Sequence, residues 1–217
     1  MVKQRARGAW AEIASEFVGT LIFTIVTVCA YGSTHIVAGN AWLPSTMLVD
    51  GVVYGLTYAF CVYLAMHQTS QCYFFNPAVA ISVEIIRRFH KENDVTGYWK
   101  RCTKCRTFSK MMVLTFAQLV ATVLGVCVAF IVIPGSAGHG AVLGMPELRF
   151  GATFASGLLL ESLGTFFFTV LVLISLVFQH GAESHSSVAV SVGLASAALQ
   201  LFLFPFTSSC LNPARAL

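Results

Sequence analysis

Five stretches of the chain are each long and apolar enough to cross a lipid bilayer, and this limits what the rest can be. They run from Ala9 to Tyr31, Leu48 to Met66, Lys110 to Ile133, Thr153 to Phe178 and Ser187 to Phe206. About 20 apolar residues in a helix match the hydrocarbon thickness of a membrane. Water is absent there, so every backbone amide must find its partner inside the protein, and helices meet that demand within one segment. The composition agrees: 57 % of residues are hydrophobic and 10 % are charged, against about a quarter charged in soluble domains. The sequence predicts an all-α membrane protein in which residues 1–217 form one transmembrane domain.

The charges report topology. Lys3, Arg5 and Arg7 precede the first stretch, and Arg87, Arg88, Lys91, Lys100, Arg101, Lys104, Arg106 and Lys110 lie between the second and third. Positive residues stay on the cytoplasmic side, so the N-terminus is expected in the cytoplasm, with 32–47 and 134–150 as external loops. The first stretch is too long for a signal peptide and carries Glu12 and Glu16, so it is read as a retained span. The net charge of +4 then needs no nucleic-acid partner.

The chain repeats itself. "SEFVGTLIFTIVTV" from Ser15 matches "LESLGTFFFTVLVL" from Leu160, which places Glu16 over Glu161, Gly19 over Gly164 and Thr20 over Thr165. "FNPAVA" from Phe75 matches "LNPARA" from Leu211. The copies, about 9–133 and about 153–217, are separated by an odd number of crossings, so the second enters the membrane from the opposite face. Inverted repeats place their site at mid-membrane, where broken helices from the two copies meet. The twelve residues of "FNPAVAISVEII" are too short to span and fit such a half-helix.

At the tip of each half-helix, unpaired amides and the helix dipole create a positive potential. Two opposed tips repel cations and hydronium. The side-chain amides of Asn76 and Asn212 are expected to leave capping and point into a lumen, donating to a passing oxygen. Arg215 adds a fixed positive charge after about thirty uncharged residues, a charge that belongs beside a water-filled path.

Two Asn-Pro-Ala motifs (Asn76, Pro77, Ala78 and Asn212, Pro213, Ala214), the repeated Glu-Xaa-Xaa-Gly-Thr, "AQLVATVLG" from Ala117 and "NPAR" together resemble the aquaporin, or major intrinsic protein, family over nearly the whole chain. The resemblance implies a passive channel for water and small neutral solutes that excludes ions and protons and is not an enzyme. It also implies no cofactor, a lipid bilayer as surroundings, and a homotetramer in which each protomer has its own pore. Glu16 and Glu161 would hold loop backbones instead of carrying protons. Matched by motif, the selectivity constriction falls on Tyr54, Gln200, Ser209 and Arg215, and His67 on the cytoplasmic vestibule. Glycerol-conducting members carry Asp directly after the arginine and a small residue at the position of Gln200; here Ala216 and Gln200 depart from both and favour water. The family has a sixth span after the second half-helix, which is missing from this chain, so the second repeat reads as truncated.

Other functions find less support. Cys102 and Cys105 form a CxxC, but "KRCTKCRTFSK" is a basic linker without a core, and neither these cysteines with His90 nor His35, His139 and His185 suggest a metal site. A glycerol facilitator and a non-conducting structural protein on the same scaffold remain as alternatives.

Overall fold

The computed structural model describes residues 2–39, 43–69, 74–89, 108–134, 144, 146–177 and 184–216. They form helices α1 (Val2–Val37), α2 (Pro44–Thr69), α3 (Pro77–Phe89), α4 (Phe108–Val132), α5 (Phe154–Val177), α6 (Ser184–Thr207) and α7 (Pro213–Ala216). Five helices are long and apolar enough to span, over Trp10–Val37, Pro44–His67, Phe108–Val132, Phe154–Ser175 and Ser186–Thr207. The expected spans are all present. The largest departure is the end of α1, which continues to Val37 through residues expected to start an external loop. The hydroxyls of that polar turn are satisfied within the helix: Ser33 Oγ donates to the Cys29 carbonyl at 2.6 Å and Thr34 Oγ1 to the Tyr31 carbonyl at 3.0 Å. Cys72, His90, Cys102, Cys105 and His139 lie outside the described residues.

In lipid, apolar burial cannot drive helices together, so close backbone approach at small residues takes its place. This is how α2 and α6 cross. A Cβ on Gly55 would lie 2.5 Å from Ala197 Cβ and 2.6 Å from the Gly193 carbonyl oxygen; one on Gly193 would lie 2.5 Å from Ala59 Cβ and 2.7 Å from the Gly55 oxygen. Each helix therefore presents a Gly-Xaa-Xaa-Xaa-Ala pair to the other, Gly55 with Ala59 and Gly193 with Ala197. Helix α1 packs on both α2 and α4, and α5 packs on α6. Leu56, Phe60, Phe116, Leu159, Phe166 and Leu194 turn outward, as a lipid-facing surface requires.

Inside, Tyr58 organises an aromatic centre. Its ring meets Phe23, Phe168 and Phe75 edge-on, with centroids 5.2, 5.3 and 6.2 Å away. Its hydroxyl donates to the Phe74 carbonyl. The short segment that leads into α3 is thus fixed from the α2 side. Near one end of α1, the buried Glu12 is paired with Lys110 of α4, which answers the charge of an acid inside a span.

Candidate functional site

The two Asn-Pro-Ala segments meet head to head. Asn76 Nδ2 donates to the Leu211 carbonyl at 2.7 Å, and Asn212 Nδ2 donates to the Phe75 carbonyl at 2.8 Å. The exchange is reciprocal: each Asn binds the carbonyl of the residue just before the other Asn. Both are almost fully buried. The half-helices α3 and α7 start from this contact with their N-termini opposed, as an inverted repeat requires.

One expectation is corrected here. The asparagines do cap their helices: Asn76 Oδ1 accepts from the Ala78 amide at 2.9 Å and Asn212 Oδ1 from the Ala214 amide at 3.0 Å. A carboxamide has separate acceptor and donor ends, so capping by the oxygen leaves the NH2 group for the opposite segment. Each NH2 has a second hydrogen beyond the one used in the cross-bond.

The repeated Glu-Xaa-Xaa-Gly motif now has a physical account. Glu16 accepts from the Phe74 and Phe75 amides at 2.9 and 3.0 Å, and Gln118 Nε2 of α4 donates to it at 2.8 Å. Glu161 accepts from the Cys210 amide at 3.1 Å and the Leu211 amide at 3.1 Å, and from the Thr207 hydroxyl. In both repeats the carboxylate takes the amides of the two residues before Asn. One turn later the glycine makes room for the side chain before Asn: a Cβ on Gly19 would lie 2.0 Å from the Phe75 ring, and one on Gly164 would lie 2.9 Å from Leu211 Cδ2. Phe75 and Leu211 themselves adopt left-handed backbones, φ 48° and 50°. For a bulky residue this conformation costs about 1–2 kcal/mol; the carboxylate bonds and cross-bonds hold it in place.

Four further predicted residues converge on the segment before α7. Tyr54 Oη donates to the Cys210 carbonyl at 3.1 Å, and the Arg215 guanidinium lies over the Tyr54 ring, 5.2 Å from its centroid. Gln200 Nε2 reaches the Ser208 carbonyl at 3.5 Å. Ser209 is fully buried beside them, with φ 46°. Three buried polar atoms in this group have no protein partner: Gln200 Oε1, Ser209 Oγ and Arg215 Nη1. Buried polar groups are nearly always satisfied by protein or water, so these atoms set the segment before α7 apart from the apolar interior around Tyr58. His67 is apart from this cluster, exposed in the last turns of α2, with Nδ1 2.9 Å from the Tyr63 carbonyl. Among the described residues no cluster of His, Cys, Asp or Glu has the arrangement of a metal site.

The profile described as "Major intrinsic protein" matches residues 3–217. The chain belongs to the major intrinsic protein family. This is a family of channels, not of enzymes, and its member here is an integral multi-pass membrane protein. The chain is similar to mouse (Mus musculus) aquaporin-4, with 26 % identity over 208 residues, 95 % of this chain and 57 % of that protein. Human (Homo sapiens) aquaporin-4 shows the same identity and shares. The chain thus spans little more than half the length of these curated relatives. Among solved structures, the aquaglyceroporin from Plasmodium falciparum superposes with a TM-score of 0.72, covering 96 % of this chain and 78 % of that one at 16 % identity; this is a likeness of fold.

Sequence reasoning missed residues that position the two opposed segments. Tyr58 leaves no signal beyond an aromatic in an apolar run. The Gly-Xaa-Xaa-Xaa-Ala pairs were legible, since "GLTYA" from Gly55 and "GLASA" from Gly193 repeat the same spacing.

Proposed function

We propose that the protein forms a passive transmembrane channel for water, with small neutral solutes as secondary permeants, and that it excludes ions and protons. The observation that carries this reading is the head-to-head meeting of the two Asn-Pro-Ala segments, each Asn donating to the carbonyl before the other, with Tyr54, Gln200, Ser209 and Arg215 gathered around the segment before α7. The second hydrogen of each Asn amide is the donor offered to the permeant. A water chain that meets two opposed helix N-termini is pulled into opposite orientations on the two sides, which interrupts proton hopping. Arg215 repels cations before they reach that point.

Tyr54, Gln200, Ser209 and Arg215 act as the selectivity constriction in this reading, and the N-terminus is cytoplasmic with the constriction toward the external side. Tyr54 is large, and Gln200 presents an amide where a polyol would need an apolar wall, so water is favoured over glycerol. The runner-up is a glycerol facilitator; the fold likeness to an aquaglyceroporin leaves it in play, whereas Ala216 and Gln200 argue against it. The family's homotetrameric arrangement is carried into the proposal with the channel.

Stopped-flow light scattering on proteoliposomes of the full-length protein tests it. Water flux well above protein-free vesicles, with little glycerol uptake, is the expected result; glycerol uptake as fast as through a glycerol channel selects the runner-up. Replacing Arg215 by Val is expected to open a proton leak, read as dissipation of an imposed pH gradient, while water flux continues. A gradient that holds as well as with the wild type means that Arg215 is not part of the barrier.

A further inference from the structure

Asp50 stands on α2 one helical turn from Tyr54 and is 5 % exposed. Thr34 Oγ1 of α1 donates to its two oxygens at 2.9 and 3.0 Å, and among the described residues no lysine or arginine pairs with it directly. A carboxylate removed from water is costly unless a cation offsets it, and one hydroxyl is too little. The compensation is at longer range: the Arg215 guanidinium lies over the ring of Tyr54, one turn along α2 from Asp50, and Arg149 binds the hydroxyl of Tyr31, one turn before Thr34 on α1.

Arg149 belongs to the segment before α5 and is also buried. Its Nη2 donates to the Tyr31 hydroxyl at 2.6 Å and to Glu147 Oε2 at 2.9 Å, and its guanidinium lies 5.7 Å from the Phe204 ring centroid. The segment that carries it is tied to the end of α6, with the Arg149 amide donating to the Phe206 carbonyl at 3.0 Å and the Glu147 amide to the Thr207 carbonyl at 3.3 Å. His35 stacks on Tyr31 from α1, with centroids 6.2 Å apart. Among the described residues the groups gathered here are two guanidiniums (Arg215 and Arg149), two carboxylates (Asp50 and Glu147) and the imidazole of His35. Glu147 is half-exposed and already engaged by Arg149, so Asp50 is the buried counter-charge that remains for Arg215.

We propose that Asp50 is a specificity-determining residue of the channel: it cancels the positive potential that Arg215 and Arg149 create at this mouth, so that excluding cations does not turn the mouth into a trap for small anions. A low-dielectric funnel lined by one sign of charge concentrates counter-ions about 10- to 1,000-fold. With Asp50 present, ions of both signs meet little net attraction, and a neutral dipole such as water is left as the favoured occupant. The inference rests on the channel reading above.

The test uses full-length protein in proteoliposomes, with iodide as the anion and thallium as the cation. Wild-type water flux tests the channel reading by itself; vesicles that conduct no water overturn that reading, whatever the anion result. For D50N the expected result is iodide entry, or inhibition of water flux by iodide, at about one-tenth of the concentration needed for the wild type. The double variant D50N/R149Q restores the charge balance and is expected to return to wild-type iodide behaviour, a rescue that a merely structural role for Asp50 would not give. Folded D50N with unchanged iodide response, or a double variant as iodide-sensitive as D50N, overturns the proposal. If D50N is not monodisperse in detergent, R149Q decides: it leaves Asp50 and Glu147 together against Arg215 alone, one negative charge in excess, and is expected to make water flux about tenfold more sensitive to thallium, and an unchanged thallium response overturns the proposal.

Discussion

Replacing Glu16 by Ala is expected to reduce water flux to the level of protein-free vesicles. The substitution strands three buried donors, the Phe74 and Phe75 amides and Gln118 Nε2, and each unsatisfied buried group costs about 1–3 kcal/mol. It also releases Phe75 from its left-handed backbone, and with it the carbonyl to which Asn212 donates. The tip of α3 then loses its register with the tip of α7. Glu161→Ala should act in the same way through Cys210 and Leu211. Glu16→Gln separates this role from proton relay. Its amide keeps one acceptor oxygen but turns an NH2 group toward the loop donors, so water flux should fall to an intermediate level. A proton relay would instead lose proton movement and keep water flow. Wild-type water flux in Glu16→Ala would show that the carboxylate does not hold the segment.

The second large effect is expected at the crossing of α2 and α6. Gly55→Val places a branched side chain where even a Cβ would lie 2.6 Å from a backbone oxygen and 2.5 Å from Ala197 Cβ. Backbone cannot swing aside as a flexible side chain does, so the helices must separate. Overpacking of this kind costs at least about 1–3 kcal/mol, and here it also removes the close approach on which association in lipid depends. Tyr54, next to Gly55 on α2, and Gln200, on α6, both reach the segment before α7, so separation pulls the site apart too. Gly55→Val and Gly193→Val should each abolish the monodisperse peak in detergent chromatography, whereas Leu56→Ala on the outward face should leave it intact. A stable, monodisperse Gly55→Val protein would show that the contact is not essential.

Much of the molecule was readable from the chain because the membrane simplifies the rules. With no water to satisfy the backbone, a run of apolar residues has one outcome, and all five expected spans are helices. The repeat did the rest: the same order of Glu-Xaa-Xaa-Gly-Thr and then Asn-Pro-Ala in two copies pointed to equivalent structures, and an odd number of crossings to their being opposed. Polar residues at helix ends were less legible. The residues from Gly32 to Val37 look like a loop in composition, yet they continue α1, with Tyr31 and His35 buried and stacked.

The sequence by itself singled out residues that the fold brings around the two opposed segments: the two asparagines, the two glutamates and Arg215 by motif, and Tyr54, Gln200 and Ser209 through the family resemblance. Tertiary structure alone decided what their atoms do. That Asn caps with its oxygen while its nitrogen crosses to the opposite segment depends on bringing residues 76 and 211 within 2.7 Å, and no local rule specifies a contact 135 positions away in the chain. The charge environment of Asp50 has the same origin. In sequence it is an isolated acid near the start of α2, and only folding sets Arg215 and Arg149 against it. Secondary structure follows from neighbours along the chain, whereas hydrogen-bond direction and electrostatic balance follow from neighbours in space.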